Sequence, residues 1–401
     1  MSFLGLRGTG DWATDERPKN FRETILWRNP NGNAPLTALL AKARSESVDD
    51  PEFNWWEEQQ DAFTCLLNGA IGTGVATTFT LDGNGTNEHG NRLVAGDLLQ
   101  VEDATGEVVE VNTITSDLVI EVVRSQAGTT GAAIADNIRL TKIGSVFAEG
   151  EGSPNVSSRN PTKVFNYTQI FKTAFELTRT AKKTRTRTGD PMKNDKIRKM
   201  FDHSASLEMA FLYGRRHETT GSNGKPKRYT GGLKSFITTN KTTSGWTATT
   251  PTPDEFINAI APVFDYTSNG AGNQRLILAG NGALTALNRS IRNAAYTSME
   301  MGPKITKWGM DLREYTVPQG SFYLRTHPLL NVHPTHTNTM IVIDPSNLVY
   351  RYIDDTKIDK GPGGRGIQDN DADSEKNQWL TEAGLEVEHE GTMAWFENFG
   401  A

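Results

Sequence analysis

Cysteine is nearly absent from this chain, which has one, Cys65, among its 401 residues. A single thiol cannot form an internal disulfide, which suits a reducing cytoplasm, and Cys65 has no basic neighbour that would activate it. The sequence also lacks a basic-then-apolar leader and any run of about eighteen apolar residues. We therefore expect a soluble intracellular protein with no membrane partner and a buried, unreactive Cys65.

An excess of positive charge is absent as well. The chain has 42 basic and 48 acidic residues, a formal net charge of −6, which excludes a generally basic nucleic-acid-binding protein. One concentrated basic block is the exception, and it consists of Lys182, Lys183, Arg185, Arg187 and Lys193. The block predicts a surface that faces DNA phosphates or that meets an acidic segment, such as residues 354–377, across a subunit boundary. A solvated helix entry is the alternative.

Signatures of catalysis and of cofactor binding are missing too. The sequence has no phosphate-binding loop, no three-glycine dinucleotide fingerprint, no nucleophile elbow and no zinc-protease helix. His333 and His336 have a spacing that suits a metal, and His327 precedes them, but no acid or cysteine stands at ligand spacing. We therefore expect a solvated histidine loop, no metal or cofactor, and no enzymatic activity.

The strongest local pattern lies in residues 190–214. Asp190 suits a helix N-cap, Pro191 the first turn, and Gly214 a left-handed residue that ends the helix. The segment predicts a helix of roughly 35 Å, which we call the spine helix. Its apolar residues fall at helical spacing and predict one core-facing stripe, formed by Ile197, Met200, Phe201, Ala205, Phe211 and Leu212.

Residues 1–34 contain isolated aromatic residues without any periodic pattern. Trp12, Phe21 and Trp27 stand in a stretch rich in Gly, Asn and charge, which predicts an extended arm that finds its partners on other elements or other chains. These three side chains are therefore candidates for a subunit interface. Residues 35–43 follow as a short amphipathic helix with Leu36 and Leu40 on its apolar side.

Residues 70–145 change to strand-like alternation separated by glycine-rich turns. No helical pattern interrupts them, so we expect an antiparallel β insertion, either a small barrel or a long two-stranded loop with extra strands. Residues 251–345 then predict a mixed α/β unit that begins with a capping box at Thr252 and Glu255. Further strands are predicted at 275–279, 312–317, 321–326 and 340–343.

The last segment predicts a polar loop followed by returning strands. Residues 354–377 contain seven acids and four glycines and predict a mobile, solvated loop. After it, Ala383, Leu385 and Val387 alternate with glutamates, which indicates a strand with one buried face. We expect this strand to pair with residues 393–399 in a terminal hairpin.

Five short motifs occur along the chain in the same order as the elements predicted above, and together they resemble those of a known family. They are WATDERP at 12–18, APLTALL at 34–40, FNWW at 53–56, NYTQIFKT at 166–173 and FLYG at 211–214. The chain resembles the HK97-like major capsid protein of tailed bacteriophages, in particular the podovirus branch represented by phage SU10. The resemblance spans nearly the whole chain, and its motifs are structural.

The resemblance implies an α+β HK97-like capsid fold with five parts. They are an N-terminal arm and the start of the peripheral domain (1–69), a β-rich extended loop that reaches over a neighbouring subunit (70–145), the peripheral domain with the spine helix (146–250), the axial domain around the five- and six-fold axes (251–345), and a loop with terminal strands that return to the peripheral domain (346–401).

It also implies a function and a set of partners. The expected function is self-assembly, as hexamers and pentamers, into an icosahedral shell around the double-stranded DNA of a tailed phage. Portal, scaffolding and decoration proteins and non-specifically held DNA are the implied partners, in a virion assembled in the host cytoplasm. Because the arm begins near Met1, we expect the scaffolding protein to be separate. The alternative is an encapsulin-like compartment with the same fold, and an enzyme with an inserted β domain is disfavoured by the missing motifs.

Overall fold

A computed structural model describes residues 36, 40, 44–58, 64–72, 74–82, 93–153, 160–186, 188–247, 251–266, 273–293, 300–307, 310–317, 319–364, 366–369 and 371–401. The predicted arm, with Trp12, Phe21 and Trp27, lies outside the described residues, and so does Arg187. The chain forms two compact units: a smaller one at Trp56–Lys163 and a larger one from the chain on either side.

Strands are numbered in chain order. The first two are β1 (Arg44–Ser47) and β2 (Glu52–Glu57). The smaller unit contains β3 (Thr64–Leu66), β4 (Thr78–Thr80), β5 (Asp97–Val101), β6 (Val108–Ser116), β7 (Val119–Gln126) and β8 (Arg139–Ser145). The chain continues with β9 (Thr162–Tyr167), β10 (Gln169–Thr178), β11 (His217–Thr220), β12 (Pro226–Tyr229), β13 (Lys241–Thr242), β14 (Gln274–Ala279), β15 (Glu300–Lys307), β16 (Met310–Val317), β17 (Gly320–Thr326), β18 (Met340–Ile343), β19 (Leu348–Asp359), β20 (Ser374–Val387) and β21 (Ala394–Phe396).

The larger unit also carries the helices of the described chain. They are α1 (Arg179–Lys183), α2 (Pro191–Tyr213), α3 (Leu233–Phe236), α4 (Pro253–Ile260), α5 (Asn281–Asn293) and α6 (Pro328–Val332). Helix α2 is the predicted spine helix. The chain is thus α+β, and its order of inserted sheet, long helix, mixed α/β unit and returning strand is the one that the HK97-like resemblance implies.

The smaller unit is a closed antiparallel sheet. Its strand order is β3-β8-β5-β6-β7-β4, and alternate side chains such as Ile120 and Val122 of β7 point into its core. An antiparallel bridge between Leu67 and Leu81 joins the two edges, with Asn68 N–H donating to Thr80 O at 2.8 Å. Of the two predicted forms, the small barrel is therefore the one that forms. Cys65 is buried in it.

The larger unit is built on two main sheets. One has the order β1-β19-β20-β10, and the other is mixed, with the order β13-β21-β18-β14-β17-β16-β15. Strand β14 is central in the second sheet and is covered on both faces. Its sequence is therefore a nearly continuous apolar run. Leu276 and Leu278 pack with the spine helix in one core, whereas Ile277 and Ala279 pack with α4 and α5 in the other.

Two expectations for the C-terminal segment are wrong. Strands β20 and β21 do not form a hairpin but lie in different sheets, because a turn at Glu390–Thr392, entered through His389 at a positive φ of 50°, redirects the chain. The predicted polar loop is also shorter than expected. Its ends belong to strands, with Asp359 paired to Gln378, so that only residues 360–373 connect β19 to β20.

The spine helix begins as predicted and ends differently. Asp190 Oδ1 accepts a hydrogen bond from Met192 N–H at 3.0 Å, and Pro191 occupies the first turn. Gly214 ends the helix with a φ of −55°, so the predicted left-handed conformation is wrong. Glycine is required there by close approach instead, because a Cβ would collide with the carbonyl oxygens of Ala210 and Thr230.

Candidate assembly surfaces

The apolar stripe of the spine helix is buried at one end and exposed at the other. Phe211 is fully buried, whereas Ile197, Met200 and Phe201 are 56%, 48% and 38% exposed. All four share one face at 3.6 residues per turn, but burial along the helix begins only at His203. The predicted core role of Ile197, Met200 and Phe201 is therefore wrong. We call these three side chains the spine patch.

Polar side chains occupy part of the buried face of the spine helix. His203 lies between two threonines, with Nδ1 3.0 Å from Thr173 Oγ1 of β10 and Nε2 2.8 Å from Thr381 Oγ1 of β20. Burial lowers the pKa of His203, so the ring is neutral at neutral pH and can donate from one nitrogen and accept at the other. His203 thereby fixes the helix on the four-stranded sheet.

Glu208 is the second buried polar residue of the helix. Its Oε1 accepts hydrogen bonds from Leu36 N–H and from His327 Nε2, each at 2.8 Å. The apolar pattern of the sequence did not indicate this role. The sequence does contain a signal of this burial, because His203 and Glu208 are spaced three or four residues from the apolar Leu207 and Phe211 and so share their helix face.

The histidine loop differs from its prediction at one position. His327 is fully buried, because it follows β17 directly and its ring turns inward to Glu208, so its predicted place in a solvated loop is wrong. The rings of His333 and His336 stack with centroids 4.2 Å apart. Within the described ranges, no group of three or more His, Cys, Asp and Glu side chains is arranged to hold a metal ion.

Part of the basic block is paired within the chain. Lys182 of α1 forms an ion pair with Glu375, and Arg179, one turn earlier, pairs with Asp373. The hydrogen bond to Glu375 raises the pKa of Lys182, and the same bond lowers the pKa of Glu375. For Lys182, an acidic partner from residues 354–377 is thus supplied within the same chain.

The rest of the described block has no ion pair of this kind. Lys183, Arg185 and Lys193 are exposed and form no salt bridge with the residues that the structure describes. Three cations, spread from the last residue of α1 to the first turn of the spine helix, therefore remain available for a partner. We call them the free cations.

The smaller unit is stabilised by a buried ion pair. Arg124 donates from Nε to Glu107 Oε1 at 2.7 Å, and it also donates to Ala76 O and Ala132 O. Burial alone would raise the pKa of Glu107, but hydrogen bonds from Arg124 and from the backbone N–H of Ser125 hold it below its ordinary value. The pair ties the glycine-rich turns of this unit to strands β6 and β7.

Three apolar side chains on the β6–β7 hairpin of the smaller unit are exposed to solvent. Ile114 of β6, Leu118 of the turn and Val123 of β7 are all exposed. They are therefore candidates for contact with a partner, where a contiguous apolar surface would be buried. We call these three residues the hairpin patch.

No helix of the described chain is both long and apolar enough to span a membrane.

Comparison with known proteins identifies the class. The SU10 major capsid protein family has a model that matches residues 7–400. The major capsid protein of Pseudomonas phage PaMx41 is 27% identical over 357 residues, which cover 86% of this chain and 82% of the relative. The protein is thus a virion component of the capsid-forming class. It belongs to the SU10 major capsid protein family.

Solved structures show weaker similarity. The capsid of Myoviridae phage XM1 has 9% identity and a TM-score of 0.46, with 94% of this chain and 96% of that chain covered. The SrpI encapsulin complex of Synechococcus elongatus has 11% identity and a TM-score of 0.41, with 60% of this chain and 76% of that chain covered. Both TM-scores are below 0.5, so the family assignment rests on the sequence.

Proposed function

We propose that this chain assembles, as hexamers and pentamers, into the icosahedral shell that encloses the double-stranded DNA of a tailed bacteriophage. The observation that carries the proposal is the match of one major capsid protein family to residues 7–400, nearly the whole chain. In this proposal the protein acts by assembly alone and catalyses no reaction. Assembly takes place in the host cytoplasm with portal, scaffolding and decoration proteins as partners.

Two apolar surfaces support an assembly role. The spine patch and the hairpin patch are exposed on a single subunit. Burial of apolar surface contributes a gross hydrophobic term of roughly 25 cal/mol per Å², from which the entropy lost on association is subtracted. We assign the insertion at 70–145 to the extended loop that reaches a neighbouring subunit. Residues 251–345 are assigned to the axial domain, and 146–250 with the returning segment 346–401 to the peripheral domain.

The free cations support contact with packaged DNA. A dense polyanion is repelled by an acidic wall, and Lys183, Arg185 and Lys193 lie on a chain of net charge −6. The nearby acids Asp373 and Glu375 are already paired within the subunit, which favours DNA over an acidic neighbour as the partner of these cations. Contact of these cations with a neighbouring subunit is the competing possibility. Replacing Lys183 and Arg185 with Gln distinguishes the two.

Electron microscopy of the purified protein tests the proposal. We expect size-exclusion chromatography to yield capsomers or shells, and negative stain to show closed particles. Nuclease-resistant DNA inside shells from infected cells supports the phage function, whereas enclosed enzyme without DNA indicates an encapsulin-like compartment. A small, defined oligomer that forms no particle under any assembly condition contradicts both.

A further inference from the structure

A pocket lies at the C-terminal end of the spine helix, beside the hairpin formed by β11 and β12. It has a volume of about 610 Å³ and is open to solvent. The helix lines it with Met209, Ala210 and Tyr213, and the chain beyond the helix adds Arg215 and Tyr229. Its lining is therefore mainly apolar and its size is that of pockets that bind a compact ligand or a large side chain. We call it the spine-end pocket.

The segment that borders the spine-end pocket is basic. Residues 215–230 contain one acid, Glu218, and five bases, which are Arg215, Arg216, Lys225, Lys227 and Arg228. Arg228 is paired with Glu218 at 3.0 Å, and the Arg216 guanidinium lies over the Phe165 ring. The other three cations form no salt bridge with the residues that the structure describes. Positive charge therefore remains available next to the apolar lining.

The register of the hairpin directs this charge towards the pocket. His217 and Tyr229 both line the pocket and lie opposite each other, and Glu218 and Arg228 are the next pair along. Because successive side chains of a strand point to opposite faces, Glu218 is turned away from the pocket. Lys227 shares the face of Tyr229, and its Nζ lies 5.3 Å from the Tyr229 ring centroid. The pocket-facing side of this fully described hairpin thus carries cations without an acid.

The FNWW motif at 53–56 supplies a side chain and a charge that match this pocket. Phe53 and Trp55 of β2 are buried, whereas Trp56 is 64% exposed. Tryptophan is enriched at the centres of protein interfaces, where its large ring is buried. The segment around it, residues 49–58, contains no base and five acids, which are Asp49, Asp50, Glu52, Glu57 and Glu58. An exposed aromatic ring in an acidic segment complements an apolar pocket beside a basic hairpin.

We propose that Trp56 of one copy of this chain inserts into the spine-end pocket of another copy, with residues 49–58 facing Arg215 and Lys227. The inference rests on the proposed function and assigns to it one contact between subunits. Burial of the ring supplies the hydrophobic part of the contact, and the opposite charges fix its orientation. Duplex DNA fits the pocket less well, because its bases are stacked and an apolar lining does not stabilise phosphates.

Carbodiimide cross-linking of the full-length protein tests this contact directly. The reagent joins a carboxylate to a lysine amine that touches it, without a spacer. Unlabelled and isotopically labelled subunits are mixed in equal amounts before assembly, so mass spectrometry distinguishes links between two copies from links within one chain. We expect mixed-isotope peptide pairs that join Glu57 or Glu58 to Lys225 or Lys227.

Variants of exposed residues show whether the ring and the charge carry the contact. Trp56→Ala should lower the yield of mixed-isotope pairs by about tenfold, and Trp56→Phe should restore most of it, because interface tryptophans carry much of the binding energy. Arg215→Glu should lower the yield, whereas Arg215→Lys keeps the charge and the yield. The matched control is Val332→Ala, which truncates an apolar side chain that is 65% exposed outside the pocket and should leave the yield unchanged.

Three results would overturn the contact: links confined to single chains, no such link in wild-type shells, or a normal yield from a Trp56→Ala variant with an unchanged thermal midpoint. Protection of Lys227 from acetylation by a duplex DNA fragment, without the link, would assign the hairpin to nucleic acid instead. Wild-type shells that lack the link leave the proposed function standing. The link in protein that forms no shells supports the contact and counts against the proposed function.

Discussion

Arg179 donates a hydrogen bond from Nε to Asp373 Oδ1 at 2.7 Å, which joins the start of α1 to the end of the acidic loop within one subunit. Lys182 makes the same kind of contact with Glu375 one turn later. Both pairs are exposed, so they orient the loop more than they stabilise the fold. They also divide the basic block into a paired part and the free cations.

The free cations give a prediction with an internal control. Replacing Lys183 and Arg185 with Gln should weaken the binding of DNA by capsomers and lower its salt dependence, by a slope of about 0.9 per lost phosphate contact. The control, Arg179→Gln/Lys182→Gln, removes the same charge from paired positions and should change the slope less. Binding is measured by fluorescence anisotropy across a salt series. Loss of shells with an unchanged DNA slope would instead place these cations at a subunit boundary.

Phe211 and Phe201 share one helix face but should behave differently. Phe211→Ala removes a fully buried ring and should cost about 3–5 kcal/mol of unfolding free energy. Phe201→Ala should cost less than about 1 kcal/mol and impair shell formation, because Phe201 belongs to the exposed spine patch. Urea unfolding of the subunit and particle counts by electron microscopy separate the effects. Similar unfolding costs for both would show that the spine patch is core.

Truncation tests the arm and its attachment separately. Deletion of residues 1–34 should leave a folded subunit that no longer closes shells, because we predict that Trp12, Phe21 and Trp27 contact neighbouring chains. Deletion of residues 1–40 also removes Leu36 and Leu40 from the core, and should lower the thermal midpoint as well. Normal shells from the shorter deletion would rule out an assembly role for the arm.

The buried pair of the smaller unit predicts acid sensitivity. The folded pKa of Glu107 lies below its ordinary value, so its contribution is present above the unfolded pKa of about 4.3 and is lost as pH falls through the folded pKa. The protection factors of amides in residues 97–145, which correct for the slower intrinsic exchange at low pH, should therefore fall in acid. The Glu107→Gln variant removes the negative charge that faces the buried Arg124 guanidinium and should lose about 3–5 kcal/mol at neutral pH, with a flatter pH dependence.

The matched control is Glu121→Gln, which changes an exposed carboxylate on β7 of the same unit. Its effect on unfolding free energy should stay within about 0.5 kcal/mol. Equal effects of the two variants, or wild-type protection factors that do not change in acid, would contradict the role of the Glu107–Arg124 pair.

Local sequence determined where the main elements lie. Asp190 and Pro191 start the spine helix, and the capping box at Thr252 and Glu255 starts α4, because caps depend on a few adjacent residues. The strand-like run at Arg275 and the antiparallel insertion were also predictable, since periodicity is a local property. The resemblance to capsid proteins used this order of parts.

Tertiary structure decided which faces are covered and which charges are paired. Phe201 and Phe211 are equivalent in helical pattern, yet only Phe211 is covered by chain from other elements. From its residue type alone, Glu208 would be expected to be an exposed charge. In the fold it is buried and contacts Leu36 and His327, which are distant in sequence. Burial and pairing depend on contacts between residues far apart in sequence, and no local pattern encodes which of those contacts form.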